Sequence, residues 1–163
     1  MKTYIIKELN EGNAARIGTL LHMLSPDAPA LGHARLAELL AGDSFWLFVT
    51  EDADGQLAGM LTLTRCHTLS RSKFWIEDVI VDPAYRGQGV GRALVHAAVE
   101  YVRSAGEHTC TAGEHEHTTR ESTTGCERKP SLYLTSNPSR TAARALYRSE
   151  GFEEYETGVF RIV

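Results

Sequence analysis

The chain is organised around one stretch, Val79-Ile80-Val81-Asp82-Pro83-Ala84-Tyr85-Arg86-Gly87-Gln88-Gly89-Val90-Gly91-Arg92-Ala93-Leu94. It reads as an apolar strand, a turn at Asp-Pro, a glycine-rich loop and the first turn of a helix. Gly87, Gly89 and Gly91 alternate with other residues, and glycine has no side chain to keep a ligand away from the backbone. The following helix leaves its first N–H groups unpaired, and its dipole favours negative charge there. We therefore predict that this loop binds a phosphate or pyrophosphate group.

Two common phosphate-binding patterns do not fit this loop. A dinucleotide fingerprint, Gly-x-Gly-x-x-Gly, would need a glycine where the chain has Arg92 or Leu94. A nucleoside-triphosphate loop ends in Gly-Lys-Ser/Thr, and the sequence contains no such run. The pattern that is present is Arg86-x-x-Gly89-x-Gly91, directly after a strand. A glycine-rich connection without a ligand is the alternative interpretation.

Outward from the loop, the spacing of apolar residues predicts both strands and helices. The predicted strands span residues 4–9, 44–51, 56–68, 73–81, 131–135, 152–155 and 158–163. The predicted helices span residues 13–24, 33–40, 90–102 and 138–150. Elements in this order form an α+β sheet domain.

Residues from about 104 to 130 lose all periodicity and are rich in Gly, Ser, Thr, Glu and His. We predict a flexible insertion there, within a single domain that spans residues 1–163. Its histidines and cysteines lack the closely spaced pairs that are typical of zinc sites, so a solvated loop is the favoured interpretation and no metal is expected. A metal site and a lid over the binding site are the alternative interpretations. These residues are His108, Cys110, His115, His117 and Cys126.

Composition and charge exclude several classes of protein. The 163 residues are 42% hydrophobic, which fits one globular domain, and the net charge of −4 gives no basic surface for nucleic acid. Three irregularly spaced cysteines do not form a disulfide framework. No stretch approaches the length of a membrane span, and the N-terminal apolar run is too short for a signal peptide. We expect a cytoplasmic protein, monomer or homodimer, with no membrane partner.

The loop pattern resembles the pyrophosphate motif Gln/Arg-x-x-Gly-x-Gly/Ala of the GNAT superfamily of acetyl-CoA-dependent N-acetyltransferases. A second family feature, Ala143-Arg144-Ala145-Leu146-Tyr147-x-x-x-Gly151-Phe152, follows the fifth predicted strand. The order of elements is similar to the GNAT fold along nearly the whole chain. The resemblance implies a mixed, mostly antiparallel twisted sheet of about seven strands flanked by four helices. It also implies acetyl-CoA as co-substrate and direct transfer of the acetyl group to a primary amine.

The loop and the resemblance together indicate the residues that bind the cofactor. The resemblance adds that Val79 and Val81 pair their backbones with the pantetheine arm, and that the Val79 amide faces the thioester carbonyl. Many relatives carry an asparagine seven residues before the catalytic tyrosine, where this chain has Arg140. Asn137 either replaces that asparagine or only caps the helix. The expected pyrophosphate contacts come from Arg86, Gly87, Gln88, Gly89, Val90, Gly91 and Arg92.

Two residues are candidates for catalysis. Tyr147 stands where the family's proton donor to the thiolate often lies, and a tyrosine pKa near ~10 suits that donation. Glu77 resembles the carboxylate that accepts the proton of the amine. Neighbouring strand residues face opposite ways, so Glu77 is predicted on the side of Val79 and Val81 unless a bulge intervenes, and Asp78 on the other. A packed Tyr147 and a structurally paired Glu77 are the alternatives.

The acceptor itself has no recognisable signature in the sequence. A small-molecule amine or amino acid is favoured over a protein lysine or N-terminus. A non-catalytic acyl-CoA-binding or regulatory domain is the main alternative to an enzyme, although both candidate catalytic residues are present. A protein that binds nucleotide phosphates is a third, weaker possibility.

Overall fold

The computed structural model describes residues 1–69, 71–108, 131–156 and 162. Four helices flank one sheet in this part of the chain. The strands are β1 Lys2–Ile5, β2 Phe45–Glu51, β3 Leu57–His67, β4 Ser72–Val81 and β5 Ser131–Leu134. The helices are α1 Glu11–Leu24, α2 His33–Ala41, α3 Val90–His108 and α4 Thr141–Ser149, with one 3₁₀ turn at Pro83–Tyr85.

The strands lie in the order in which they occur along the chain. β1 to β4 pair antiparallel, as short connections such as the Asp52–Gly55 turn allow, and β5 pairs parallel with β4. The long β3 and β4 form the centre of the sheet, where both strands have neighbours on either side. The glycine loop leaves the sheet at the end of β4, so β4 positions the candidate site.

Each face of the sheet carries its own hydrophobic core. On one face, Phe48, Leu61 and Phe74 pack with residues of α3 and with Tyr147 of α4. On the other face, the core is formed with α1 and α2, and its buried side chains include Ile17, Leu20, Leu47, Val49 and Met60. Burial of each large apolar side chain contributes about 1.5–3 kcal/mol before entropy is counted, so the two cores hold the helices onto the sheet.

A β-bulge interrupts β4 next to the candidate site. Thr62 of β3 pairs with Glu77, and Met60 pairs with Ile80, so β4 has one residue more than β3 between these two pairs. In a regular strand, residues four apart lie on the same face. Because of the bulge, Ile76 and Ile80 instead pack into the cores on opposite faces of the sheet. Asp78 within the bulge has a φ of 47°. This left-handed backbone costs about 1–2 kcal/mol for a residue other than glycine.

The mixed α+β class with four helices is confirmed, whereas the count of about seven strands is not. The described residues form five strands; residues 152–156 form no strand, and 158–163 lie outside the described residues except Ile162. The predicted insertion at 104–130 begins too early, because α3 continues to His108, and residues 109–130 lie outside the described residues. The first strand is also shorter than predicted and ends at Ile5.

The predicted start of the last helix at residue 138 is wrong, because α4 begins at Thr141. Asn137 closes a separate turn before the helix. Its Oδ1 accepts hydrogen bonds from the amide of Ser139 at 2.9 Å and from the hydroxyl of Ser139 at 2.8 Å. The Asn-Pro pair therefore marks a turn whose polar cap lies ahead of the helix rather than on it.

Candidate active site

A cleft opens where β4 and β5 separate. The two strands pair only as far as Ile76 and Leu134, and β4 continues to Val81 without β5 beside it. The cleft has a volume of about 860 Å³, which is within the range of small-molecule sites. It is lined by Leu24, Ser25, Ile76, Glu77, Asp78, Val79, Leu134, Thr135, Ser136, Asn137, Ser139, Arg140 and Tyr147.

The edge of β4 beside this cleft carries free backbone groups. The amide of Asp82 donates to the Ala58 carbonyl of β3 at 2.9 Å. Because alternate residues of a strand direct their amides to the same side, the Ile80 amide also faces β3, and the amides of Val79 and Val81 face the opposite edge. No described strand pairs with that edge beyond Ile76. An extended, amide-bearing ligand could therefore pair there as an additional strand.

The glycine loop presents a second set of unpaired amides. Within the described part of the chain, no protein group accepts a hydrogen bond from the backbone amides of residues 87–92. The first bond of α3 runs from the Ala93 amide to the Gly89 carbonyl at 3.0 Å. Gly87 and Gly89 have φ values of 76° and 82°, and the space where their Cβ atoms would lie is open. The loop therefore fits an anionic group that approaches the backbone closely.

The side chains around the loop mostly support it. Arg92 lies 3.4 Å from the Glu150 carboxylate and donates to the Ser149 hydroxyl at 3.3 Å, so its guanidinium is held by the end of α4. The Gln88 amide group donates to the Ala84 carbonyl at 3.1 Å. Arg86 makes a long contact of 3.4 Å with the Val81 carbonyl and is exposed, which leaves its charge available to an anion.

A partly buried ion pair anchors the start of the loop. Arg16 of α1 donates to Asp82 Oδ2 at 2.6 Å and to the Leu57 carbonyl at 3.0 Å. The other oxygen of Asp82 accepts from the Ala84 amide at 2.8 Å and caps the 3₁₀ turn. The hydrogen bond from Arg16 and the bond from Ala84 hold the pKa of Asp82 below its ordinary value. These contacts tie α1, β3 and the loop together.

The bulge places both carboxylates of β4 at the cleft. Glu77 lies opposite Thr62 and so on the same face of the sheet, and Thr62 Oγ1 donates to Asp78 Oδ2 at 3.0 Å. Val79 and Val81 pack instead against the core under α3. The expectation that Glu77 lies on the side of Val79 and Val81, with Asp78 on the other side, is therefore wrong. The cause is the bulge, because its extra residue shifts the alternation of side chains along β4. Glu77 is exposed, but desolvation by its surroundings in the cleft, and then the charge of Asp78, raise its pKa.

Tyr147 forms another wall of the cleft. It is buried at 9% exposure in the core under α4, and its ring contacts Phe152 edge-to-face with centroids 6.2 Å apart. Among the described residues, none forms a hydrogen bond with its hydroxyl. Burial raises the pKa of Tyr147, while the positive charge of Arg140 opposes the rise. The phenol therefore stays protonated at neutral pH, as a proton donor must.

The structure brings Glu77, Val79, Asn137 and Tyr147 to the same cleft, whereas Val81 and residues 86–92 of the loop are not among the residues that line it. Three further polar residues line the cleft, and among them only Arg140 had a sequence signal, as the residue in place of the asparagine of many relatives. The buried hydroxyl of Ser136 has no partner in the described residues, and such a group normally has one. Ser25, at the end of α1, and Arg140 also line the cleft. Ser25 and Ser136 could have been predicted only from their positions, because Ser25 directly follows α1 and Ser136 comes two residues after β5.

The arrangement fits acetyl-CoA, which combines a pyrophosphate with an extended amide-bearing arm. The family comparison settles the broader assignment, because residues 18–123 match the model of the Acetyltransferase (GNAT) family. The chain belongs to the GNAT acetyltransferase family. Streptothricin acetyltransferase from Streptomyces lavendulae is 37% identical over 59 residues, which are 36% of this chain and 30% of that protein. Glucosamine 6-phosphate N-acetyltransferase 1 from Oryza sativa subsp. japonica is 36% identical over 99 residues, which are 53% and 58% of the two chains.

Solved structures give the same fold over nearly the whole GNAT chain. A putative acetyltransferase from Agrobacterium tumefaciens str. C58 has a TM-score of 0.73 at 25% identity and covers 100% of this chain and 99% of its own. An aminoglycoside acetyltransferase from an uncultured soil metagenomic sample has a TM-score of 0.74 at 17% identity, and the match covers 99% of this chain and 95% of that chain. The matches to the two curated relatives, in contrast, span less than two thirds of either relative.

Two further observations concern the described residues only. None of the described helices is both long and apolar enough to span a bilayer. The described side chains include no cluster of three or more His, Cys, Asp and Glu residues that could bind a metal ion. Cys110, His115, His117 and Cys126 of the predicted insertion lie outside the described residues.

Proposed function

We propose that this protein is an N-acetyltransferase that transfers the acetyl group of acetyl-CoA directly to a primary amine of a small molecule or amino acid. One observation carries the proposal. The unpaired amides of residues 87–92 lie at the end of a strand whose open edge borders a cleft, and Glu77 and Tyr147 both line that cleft. Membership of the GNAT family supports the same activity.

The cofactor would supply an acetyl group activated as a thioester. The loop amides, the helix dipole of α3 and the Arg86 guanidinium would bind its pyrophosphate. The outward amide of Val81 and the carbonyl of Val79 would pair with the pantetheine arm. The Val79 amide would instead donate to the thioester oxygen, where negative charge develops. The unpaired Ser136 hydroxyl and the Asn137 amide group are further polar contacts in the cleft.

Glu77 and Tyr147 would divide the proton transfers. An ordinary alkylamine has a pKa near ~10.4 and must lose a proton before its nitrogen can attack the carbonyl carbon. Glu77 accepts that proton, directly or through water, and its raised pKa makes it a better base than an ordinary glutamate. The new C–N bond forms as the C–S bond breaks, and the Tyr147 hydroxyl gives a proton to the departing sulfur.

A small amine is supported by the names of the relatives. They acetylate streptothricin, glucosamine 6-phosphate or aminoglycosides, all of which are amine-bearing small molecules. The acidic pair Glu77 and Asp78 also suits a positively charged acceptor. A protein lysine or N-terminus, and a domain that binds acyl-CoA without turnover, are the alternatives that an amine screen separates.

Isothermal titration with acetyl-CoA tests the proposal when the wild type is compared with Gly89→Glu. The glutamate side chain would occupy the cradle and repel the pyrophosphate, so we expect at least a hundredfold loss of affinity. Gly55→Glu is the matched control, because Gly55 has a φ of 78°, open space around it and a place in the β2–β3 turn. It should bind normally. A folded wild type that binds no acetyl-CoA would refute the proposal, and binding without thiol release on any amine would favour the non-catalytic alternative.

A further inference from the structure

Thr62 and Asp78 are the neighbours of the proposed base, one across the sheet and the other next to it along β4. Thr62 is buried at 6% exposure in the middle of β3, directly opposite Glu77. Its hydroxyl donates to Asp78 Oδ2 at 3.0 Å across the bulge. Asp78 holds the left-handed backbone conformation that creates the bulge. The hydrogen bond therefore links the extra residue of β4 to the rigid central strand of the sheet.

Everything that the proposed chemistry needs from β4 depends on this extra residue. It breaks the alternation between Glu77 and Val79, so that Glu77 lies on the face of Thr62 and lines the cleft while Val79 and Val81 pack in the core under α3. It also sets the direction of the next peptide group, whose amide belongs to Val79. A left-handed backbone at a residue other than glycine persists only where surrounding contacts hold it. The described contact that holds it through the Asp78 side chain is the bond from Thr62.

We propose that Thr62 and Asp78 are a positioning pair: their hydrogen bond fixes the bulge so that the Glu77 carboxylate and the Val79 amide face the reacting groups together. The inference rests on the proposed acetyl transfer. Thr62 acts through Asp78, and Asp78 acts through its neighbours on either side. Neither residue is assigned a proton transfer, so both are positioning residues, although Asp78 also lines the cleft.

The charge of Asp78 gives the pair a second effect. After desolvation, that charge is the next cause of the raised pKa of Glu77. The other titratable or charged groups that line the cleft are Arg140 and Tyr147, both on the side of β5 and α4. β3 contributes the uncharged Thr62 opposite Glu77, and α1 contributes the uncharged Leu24 and Ser25. Removal of the Asp78 charge should therefore move the acidic limb of the rate profile to lower pH.

Substitutions at Thr62 test the hydrogen bond. Thr62→Val keeps the shape and removes the donor, and we expect kcat to fall about tenfold with little change in acetyl-CoA affinity. Thr62→Ser restores the hydroxyl and should retain at least fivefold more kcat than Thr62→Val. Thr50→Val is the matched control, since Thr50 is a fully buried strand threonine that hydrogen bonds to Thr3 at 2.8 Å, away from the cleft. Equal kcat in Thr62→Val and Thr50→Val would overturn the proposal.

Substitutions at Asp78 separate its charge from its hydrogen bond. Asp78→Asn keeps an acceptor for Thr62 and tolerates the left-handed backbone, so it should retain the bulge and move the acidic limb to lower pH. Asp78→Gly keeps the backbone freedom but loses both the acceptor and the charge, and its kcat should fall as far as that of Thr62→Val. An unshifted limb in Asp78→Asn, or normal kcat in Asp78→Gly, would contradict the positioning role.

Amide hydrogen exchange tests the pair without any turnover. If the pair holds the bulge, the Ile80 amide, which faces β3 directly after the bulge, should exchange at least tenfold faster in Thr62→Val than in wild type, while Thr50→Val should leave it unchanged. This result stands even if no amine is acetylated, so failure of the proposed function and failure of the positioning pair remain distinguishable. Unchanged exchange of the Ile80 amide in Thr62→Val would overturn the inference.

Discussion

The two halves of β4 have different neighbours and different tasks. Residues 72–76, here called the paired half, lie between β3 and β5, and their side chains Phe74 and Ile76 are buried. Residues 77–81, the open half, pair with β3 alone and carry the bulge, Glu77 and the free amides of Val79 and Val81. The comparison teaches that the candidate site begins where the sheet stops pairing, because unpaired backbone groups are the part of a strand that can bind a ligand.

The largest expected effect falls on the paired half and concerns stability. Phe74 is 4% exposed and packs in the core under α3, where Trp46 lies 5.9 Å away between ring centroids. Phe74→Ala should lower the free energy of unfolding by about 3–5 kcal/mol. Chemical denaturation measures this loss. A loss below about 1 kcal/mol would mean that the paired half does not carry the core.

Glu77→Gln, in the open half, should lower activity and leave the free energy of unfolding unchanged. We expect kcat to fall about a hundredfold, since general-base catalysis typically contributes 10²–10⁴-fold. In the wild type, kcat/KM should decline with falling pH as Glu77 takes up its proton, and this limb lies above the pH expected for an ordinary glutamate because the pKa is raised. The variant should lack that limb. Glu51→Gln, in β2, is the control, and equal losses in the two variants would remove Glu77 from the mechanism.

Tyr147→Phe should lower kcat about tenfold to a hundredfold while the protein remains as stable as the wild type. The phenylalanine keeps the ring in its core, and no described residue forms a hydrogen bond that the change would break. Pre-steady-state measurement of thiol release reads the effect directly. Tyr101→Phe is the control, because Tyr101 packs in the same core against Trp46 and Phe48. A variant with normal kcat would reduce Tyr147 to a packing residue.

The smallest expected effect concerns the anchor of the glycine loop. Asp82→Asn weakens the ion pair with Arg16, in which the Asp82 side chain is 14% exposed and the Arg16 side chain 24% exposed. The change should lower the free energy of unfolding by about 1 kcal/mol. The pKa of Asp82 is lowered in the folded state, so its contribution is fully present above the ordinary value near ~4 and is lost as the pH falls through the lowered folded-state pKa. Denaturation at pH 7 and at a series of lower pH values should therefore show a difference between wild type and variant that is largest at pH 7 and shrinks below about pH 4. A difference that stays constant as the pH falls would contradict this account.

The sequence predicts the local features of the site well and the non-local ones poorly. The glycines at 87, 89 and 91, the strand before them and the helix after them are consecutive, so the cradle can be read from one stretch. The bulge at Asp78 cannot, because an extra residue shows only against the register of β3. The separation of β4 from β5 and the hydrogen bond from Thr62 likewise depend on residues distant in the chain.

Amide protection on addition of acetyl-CoA tests most directly the claim that the open half of β4 and the glycine loop form one cofactor site. Hydrogen exchange with and without acetyl-CoA should show slower exchange at Val79, Val81 and residues 87–92. The amides of residues 73–76, already held within the sheet, should not change. Protection confined to other parts of the chain, or no protection at a saturating concentration of acetyl-CoA, would contradict the account.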